Sequence, residues 1–148
     1  MPILTYPALQ DLGRRLVTAM GAPPDEARLV ADSLVDSNLV GHDSHGVIRL
    51  EQYWKLVRQG GIVPGAPTTV ASETPGTALL DGNWNFGQVI AHRCVETAVR
   101  KARESGSATI CVRSCATAMW MSSSWSRPSM GARCPARSPT ALVRWCGV

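Results

Sequence analysis

The sequence predicts a mixed α/β fold: an N-terminal segment of three helices, then two short strands, a long helix and a last strand. Three observations predict it. Apolar residues recur every three or four positions in three early segments, short apolar runs bounded by turn residues follow, and a long helical pattern separates the second strand from the third. At 148 residues, the chain is long enough to form a domain with a hydrophobic core.

The first two helices are predicted from their apolar stripes. The first covers residues 7–20 and ends at Gly21, and its stripe comprises Leu9, Leu12, Leu16 and Met20. The second opens at Pro23-Pro24-Asp25-Glu26, because proline and acidic residues suit the first turn of a helix. It ends near Gly41, and the residues expected to face the core are Ala27, Val30, Ala31, Leu34 and Val35.

A third helix is predicted over residues 44–59, before the glycine pair at 60 and 61. Ser44 is expected to be its N-cap, because a serine hydroxyl there accepts a hydrogen bond from an unpaired backbone N–H. His45 would lie in the first turn, where the positive end of the helix dipole favours the neutral imidazole. The residues expected to face the core are Val47, Leu50, Trp54 and Val57.

Residues 62–113 are predicted to contain three strands and one long helix. Residues 62–67 form a proline-bearing connector, and short strands are predicted at 68–72 and 77–81. A long helix is predicted over residues 88–104, and a buried strand over 108–113. The helix residues expected to face the core are Val89, Cys94, Val95, Ala98, Val99 and Ala102.

The glycines at positions 82 and 87 bound a segment that could be mistaken for a phosphate-binding loop. It lacks both the Gly-x-Gly-x-x-Gly fingerprint and the P-loop lysine. The sequence therefore predicts a plain turn that leads into the long helix.

The charge is distributed unevenly along the chain. The net charge is +4, yet residues 1–115 have equal numbers of acidic and basic side chains. Residues 116–148 contain four arginines, three tryptophans and no acidic residue, and no helical or alternating period runs through them. We therefore predict two parts, a folded unit at 1–115 and an irregular basic tail at 116–148 that is either disordered or translated out of frame from near Cys115. Four scattered arginines argue against a nucleic-acid-binding tail.

Composition also bears on the cellular compartment. The first residues lack the basic start and apolar run of a signal peptide, and no apolar run approaches the roughly 18 residues of a membrane helix, so a cytoplasmic protein without membrane contact is expected.

The five cysteines include no Cys-x-x-Cys pair and are predicted to be reduced thiols. His42 and His45 have a spacing that could suit a metal, but no further ligand set is visible, so no metal site is predicted.

The segment from Gly41 to Leu50 contains the candidate catalytic and substrate-binding residues. His45 could transfer a proton at a carbonyl or carbinol, and Arg49, four residues later, could bind the neighbouring carboxylate of a 2-oxo or 2-hydroxy acid in a bidentate manner. Structural roles remain alternatives: His45 as a solvated or hydrogen-bonded residue, Arg49 as a partner of Asp43 or Glu51, and Asp43 as a loop residue or a group that orients a histidine.

Several motifs together resemble one family. They lie in the same order and at similar spacing over about 110 residues: Ser44-His45-Gly46-Val47, Arg49-Leu50, Tyr53, Gly61-Ile62-Val63-Pro64, Leu80-Asp81-Gly82, Gly87-Gln88-Val89 and Val112-Arg113. The chain resembles the N-terminal part of the malate/L-lactate dehydrogenases, whose members include ureidoglycolate, sulfolactate and diketogulonate reductases. The resemblance implies a non-Rossmann α/β fold, a homodimer, and NAD- or NADP-dependent interconversion of 2-hydroxy and 2-oxo acids. It implies that His45 is the catalytic acid/base, with Arg49 and Ser44 as substrate-binding residues.

The sequence departs from that family after Val112-Arg113. The histidine or asparagine expected next is absent from Ser114-Cys115, and full-length members are more than twice as long. Because family members hold the cofactor largely with later segments, no cofactor-binding residue is identified here, and the choices of substrate and of NAD or NADP stay open. The chain is therefore expected to be a truncated, inactive fragment; the alternative is a non-catalytic module that pairs with an intact relative.

Overall fold

The computed structural model describes residues 4–115. Four helices, one short 3₁₀ turn and three strands follow each other as α1 Tyr6–Ala19, α2 Pro24–Leu39, the 3₁₀ turn Asp43–His45, α3 Arg49–Arg58, β1 Thr69–Glu73, β2 Thr77–Asp81, α4 Gly87–Ser105 and β3 Thr109–Arg113. The predicted mixed α/β order is confirmed. The predicted tail lies outside the described residues.

The core forms where α1, α2 and the start of α4 meet. All five residues predicted to face the core from α2 are buried. The core cluster comprises Val17, Met20, Ala22, Ala27, Val30, Leu34, Ile62, Phe86 and Val89. Burying this apolar surface is the main favourable term for the fold.

The predicted stripe of α1 is partly wrong. Leu12 and Leu16 are more than two fifths exposed, whereas Gly13 and Val17 are buried. The reason is the close approach of α1 to α2: a Cβ on Gly13 would lie 3.1 Å from the Cβ of Ala31. The absence of a side chain at Gly13 lets this face of α1 lie against α2, which turns the two leucines toward the edge of the contact.

The third helix begins later than predicted. A 3₁₀ turn holds Ser44 and His45, and Gly46 then has extended backbone angles (φ −86°, ψ −157°) that interrupt the helix. The N-cap of α3 is Ile48, with no side-chain cap, so the expectation that Ser44 caps this helix is wrong. Trp54, predicted to face the core, is 45 % exposed. The half-buried residues of this region that pack on the core are Val47, Leu50, Tyr53, Leu56 and Val57.

The three strands form one sheet in the order β1-β2-β3. β1 and β2 pair antiparallel, with an irregularity between Val70 and Ser72, and β2 and β3 pair parallel. α4 is the crossover between β2 and β3, as a parallel connection requires. The residues of β3 are exposed or half-buried, which corrects the expectation of a buried strand, because within residues 4–115 β3 has a neighbour on one side only.

The core-facing residues of α4 also differ from the prediction. Val89 and Ile90 are buried near its start and Lys101 near its end, and Cys94, Ala98 and Ala102 are half-buried. Val95 and Val99, predicted to face inward, are 61 % and 45 % exposed. Positions 90, 94, 98 and 101 share a face at helical spacing, and positions 95 and 99 lie about 100° around the helix from it.

Two further findings concern the described residues only. Between residues 4 and 115, no helix has the length and apolar character to cross a membrane. Cys94, Cys111 and Cys115 are unpaired thiols, whereas Cys134 and Cys146 lie outside the described residues.

Candidate active site

The candidate site lies on the segment that joins α2 to α3. His45 and Ser44 are exposed in the 3₁₀ turn, and Arg49 is half-buried in the first turn of α3. The Ser44 hydroxyl lies 3.0 Å from Nδ1 of His45. Nε of Arg49 donates a hydrogen bond of 2.6 Å to the Ser44 carbonyl oxygen. Ser44 therefore contacts both of the residues predicted to perform the chemistry.

The route by which the three residues meet differs from the one predicted. The sequence placed His45 and Arg49 one turn apart on a single helix, but His45 precedes α3 and the chain bends at Gly46. A backbone hydrogen bond of 3.0 Å from Arg49 N to the Gly46 carbonyl continues the bend into α3. The juxtaposition therefore depends on the conformation of the turn rather than on helical periodicity.

The arrangement constrains the chemistry of the imidazole. When the Ser44 hydroxyl donates to Nδ1, the neutral ring has its proton on Nε2, and that nitrogen can donate to an oxygen outside the turn. Nη1 of Arg49 donates to the Gln52 side chain at 2.8 Å, so contacts from two of its nitrogens fix the plane of the guanidinium. An imidazole and a guanidinium are thus both held against Ser44.

The structure bears on the alternative roles of the acidic neighbours. Asp43 accepts a hydrogen bond of 2.6 Å from Nδ2 of Asn38, and so fixes the turn to α2 as a loop residue. Glu51 forms an ion pair of 2.5 Å with Lys55 on the exposed side of α3. The hydrogen bond from Lys55 lowers the pKa of Glu51.

Tyr53 connects the helix that contains Arg49 to α4. Its ring lies 5.6 Å from that of Phe86, and its hydroxyl accepts a hydrogen bond of 2.8 Å from Gln88. Burial raises the pKa of Tyr53, while the hydrogen bond from Gln88 and the positive charge of Arg49 act in the opposite direction. The phenol therefore stays neutral at pH 7 and lies within the electrostatic influence of Arg49.

The backbone N–H groups of the turn before α4 are engaged within the protein. All five of its backbone N–H groups from Gly82 to Phe86 donate to acceptors within the protein: the Arg113 carbonyl, the Asp81 carboxylate, the Ser114 carbonyl, the Gly82 carbonyl and the Asn85 side chain. A phosphate cradle needs N–H groups that point at the ligand. The segment is a turn leading into a helix, as predicted.

The candidate site is an exposed surface in the described part of the chain. A groove of about 570 Å³ lies between α2 and α4, but its lining includes none of Ser44, His45 and Arg49. Between residues 4 and 115, no group of three or more histidine, cysteine or acidic side chains is arranged to hold a metal ion.

One residue with a clear structural role in this site was missed by sequence reasoning. Asn38, in the last turn of α2, contacts the turn on both sides of His45: its Nδ2 donates to Asp43, and its Oδ1 accepts from the backbone N–H of Val47 at 2.9 Å. A polar residue near a helix end ordinarily indicates only exposure, and no motif distinguishes this asparagine.

The structure brings together a histidine and a serine in the turn before α3 and an arginine in its first turn, which are residue types able to transfer a proton and bind an anion. The chain belongs to the malate/L-lactate dehydrogenase family, whose sequence model matches residues 4–130. The resemblance noted from the sequence motifs is thereby confirmed. The predicted division of the chain at residue 115 stays a prediction.

Individual relatives agree with this assignment. The chain is 39 % identical over 99 residues to a malate dehydrogenase of Pyrococcus abyssi, which is 67 % of this chain and 27 % of that protein. It is 41 % identical over 93 residues to an L-sulfolactate dehydrogenase of Methanothermobacter thermautotrophicus, which is 63 % of this chain and 27 % of the relative. The solved malate dehydrogenase of Pyrococcus horikoshii superposes with a TM-score of 0.73 at 34 % identity, over 76 % of this chain and 32 % of that one. The chain thus spans about a quarter of the length of these curated relatives.

Proposed function

We propose that the chain belongs to an oxidoreductase that interconverts a 2-hydroxy acid and a 2-oxo acid with NAD or NADP. In this proposal, His45, Ser44 and Arg49 form the substrate side of the active site. The observation that supports it most directly is the pair of contacts at Ser44, whose hydroxyl meets His45 and whose carbonyl meets Arg49. The family and its malate and sulfolactate dehydrogenases support the substrate class.

Each of the three residues has a role that follows from its side-chain chemistry. Arg49 binds the substrate carboxylate, because a guanidinium presents paired donors that match the two oxygens. His45 serves the neighbouring carbon: it donates a proton to the oxygen as the carbonyl is reduced, and it removes the hydroxyl proton in the opposite direction. Ser44 orients the imidazole through Nδ1, which leaves Nε2 for the substrate oxygen.

The cofactor is assigned to no residue of the described chain. A nicotinamide dinucleotide has a pyrophosphate, and the turn that most resembles a phosphate loop does not fit one, since its N–H groups at positions 82–86 are engaged within the protein. We propose NAD or NADP from the family alone and derive no step through it. From the same resemblance we propose that the enzyme is a homodimer. We propose that it is cytoplasmic because its first residues lack the basic start and apolar run of a signal peptide.

Binding of oxamate, a stable analogue of a 2-oxo acid, tests the substrate site. In NMR titrations of the purified chain, we expect saturable shifts of the His45 imidazole and Arg49 Nε signals. Arg49→Lys should weaken binding about tenfold, because a bidentate charged contact worth about 1.5–3 kcal/mol becomes a single-point one. Arg58→Lys, at the far end of the same helix, is the matched control and should leave the affinity unchanged. Unmoved His45 signals, or equal losses in both variants, would contradict the assignment.

Nicotinamide nucleotide binding tests the expectation that this chain alone does not turn over. We expect NADH and NADPH to show no saturable fluorescence change at micromolar concentration, and no oxidation of either with oxaloacetate or pyruvate. The resemblance gives the reason, because family members hold the cofactor largely with later segments. The turn before α4 offers no substitute, since its N–H groups at positions 82–86 are paired within the protein. Tight binding of either nucleotide would show that the chain has a cofactor site that we have not assigned.

A further inference from the structure

The turn that contains His45 is held on both sides by one side chain of the preceding helix. Nδ2 of Asn38 donates to the Asp43 carboxylate at 2.6 Å, and Oδ1 of the same amide accepts from the Val47 N–H at 2.9 Å. These two partners lie on either side of Ser44, His45 and Gly46. The amide therefore closes a ring of contacts around the candidate catalytic segment.

Gly46 shows how closely the backbone approaches this amide. A Cβ at Gly46 would overlap the Asn38 side chain. Its φ of −86° is open to any residue, so glycine is needed here for space rather than for conformation. The backbone between His45 and Val47 runs directly against the amide of Asn38.

The two partners of Asn38 need different hydrogen-bonding groups from the same side chain. Asp43 requires a donor and the Val47 N–H requires an acceptor, and a side-chain amide supplies both from one planar group. An aspartate would keep the acceptor but place a second carboxylate against Asp43. An alanine would leave the Val47 N–H without its partner.

We propose that Asn38 is a positioning residue of the active site, which sets the turn from Asp43 to Val47 and thereby places His45 and Ser44 relative to Arg49. It contacts no substrate in this proposal and acts through His45. The catalytic meaning of the inference rests on the proposed function, whereas the structural part stands on the contacts of the amide.

Histidine and amide NMR of the full chain tests the proposal. In Asn38→Ala, the Val47 amide should exchange with solvent about fivefold faster, and the His45 imidazole signals should move, since the lost hydrogen bond is worth about 1 kcal/mol. Oxamate affinity should also fall about fivefold or more, because the same loss of about 1 kcal/mol corresponds to that change in a dissociation constant. His92, on α4, should keep its signals. Ser37→Ala, which removes a neighbouring hydroxyl that donates to the Ser33 carbonyl, should change none of these quantities.

A rescue experiment separates positioning from a general loss of stability. Asn38→Asp should loosen the turn, because two carboxylates then face each other. Combining it with Asp43→Asn restores a donor opposite an acceptor, with the remaining carboxylate oxygen of residue 38 accepting from Val47. The double variant should recover the His45 signals and most of the oxamate affinity. Failure of this rescue, or unchanged Val47 exchange and His45 signals in Asn38→Ala, would overturn the proposal.

The outcomes also separate the proposed function from the positioning role of Asn38. A parent chain that does not bind oxamate would overturn the proposed function, while Val47 exchange and the His45 signals would still decide whether Asn38 sets the turn. Variants that move His45 but bind oxamate as tightly as the parent chain would overturn the positioning role.

Discussion

At the scale of single residues, buried amides join parts of the chain that are distant in sequence. Asn85 is wholly buried. Its Nδ2 donates to both carboxylate oxygens of Glu26 at 3.1 Å and to the Ala66 carbonyl at 2.9 Å, while its Oδ1 accepts from the Phe86 N–H at 2.7 Å. Glu26 in turn accepts from the Gly65 N–H. One amide thus ties the start of α2, the connector and the start of α4 together.

Replacing this amide by a carboxylate should be costly. Asn85→Asp keeps the shape but sets a buried carboxylate against Glu26, and we expect a loss of about 3 kcal/mol or more in the free energy of unfolding. Glu26→Gln alone, the control, keeps an acceptor for Gly65 and should cost little. Combining the two replaces one repulsion by an amide–carboxylate pair and should recover part of the loss. Urea unfolding of the three variants would measure this, and equal stabilities for the single and double variants at position 85 would contradict it.

Sequence reasoning found some of these residues and could not have found others. His45 and Arg49 were recognisable because the motif that contains them has chemistry legible from residue types alone. Asn38 and Asn85 were not, since an isolated asparagine has no periodicity. Their partners are fixed only when the turn folds back against α2 and when the connector meets α4.

At the scale of elements, the end of α4 is attached to the β1–β2 hairpin by one buried lysine. Nζ of Lys101 donates to the Thr74 carbonyl at 2.7 Å and pairs with the Glu73 carboxylate at 2.9 Å. The Lys101 side chain is only 6 % exposed. This pair sets the distance between the hairpin turn and the last turn of α4.

The lysine also explains an error in the predicted face of α4. The apolar residues Val95 and Val99 suggested the inward side, because sequence patterns weigh large apolar side chains most heavily. The inward face instead runs from Ile90 through the half-buried Cys94 and Ala98 to Lys101, whose charge is paired at its tip. The existence and limits of α4 were predictable within a residue, but its inward face was not, because sequence periodicity counts a lysine such as Lys101 as exposed.

The ion pair should make stability depend on pH in the acidic range. The hydrogen bond from Lys101 lowers the pKa of Glu73 below its usual 4.5. The folded state therefore holds this proton less tightly than the unfolded chain does, so the contribution is complete above pH 4.5 and is lost as the pH falls through the folded-state pKa. Glu73→Gln should lower the melting temperature at pH 7, and this difference should shrink at lower pH.

Glu51→Gln is the matched control for this measurement. Glu51 also pairs with a lysine, but both side chains of that pair are more than three fifths exposed. Exposed pairs contribute little to stability, so this variant should change the melting temperature much less. A difference between Glu73→Gln and the parent chain that persists unchanged at low pH would show that Glu73 acts through packing rather than through its charge.

At the scale of the whole molecule, the described part has one hydrophobic core and also exposes apolar side chains on α4. The core lies among α1, α2 and the start of α4, whereas Val95 and Val99 are exposed about 100° around α4 from its inward face. The sequence predicted the order of all elements, because periodicity and turn residues are local. It could not predict the distance between α1 and α2, which depends on Gly13 meeting Ala31.

The exposed valines provide a test of this division between core and surface. Val95→Lys together with Val99→Lys should change the free energy of unfolding by no more than about 0.5 kcal/mol, as exposed substitutions usually do. Because the pair adds charge to an apolar surface, it should reduce light scattering by concentrated samples. Ile90→Lys is the contrasting variant on the same helix, and it should prevent stable folding because the residue is buried against the core. Urea unfolding and static light scattering measure both effects. A double variant as unstable as Ile90→Lys would mean that the valines pack against the protein and that the core extends across both sides of α4.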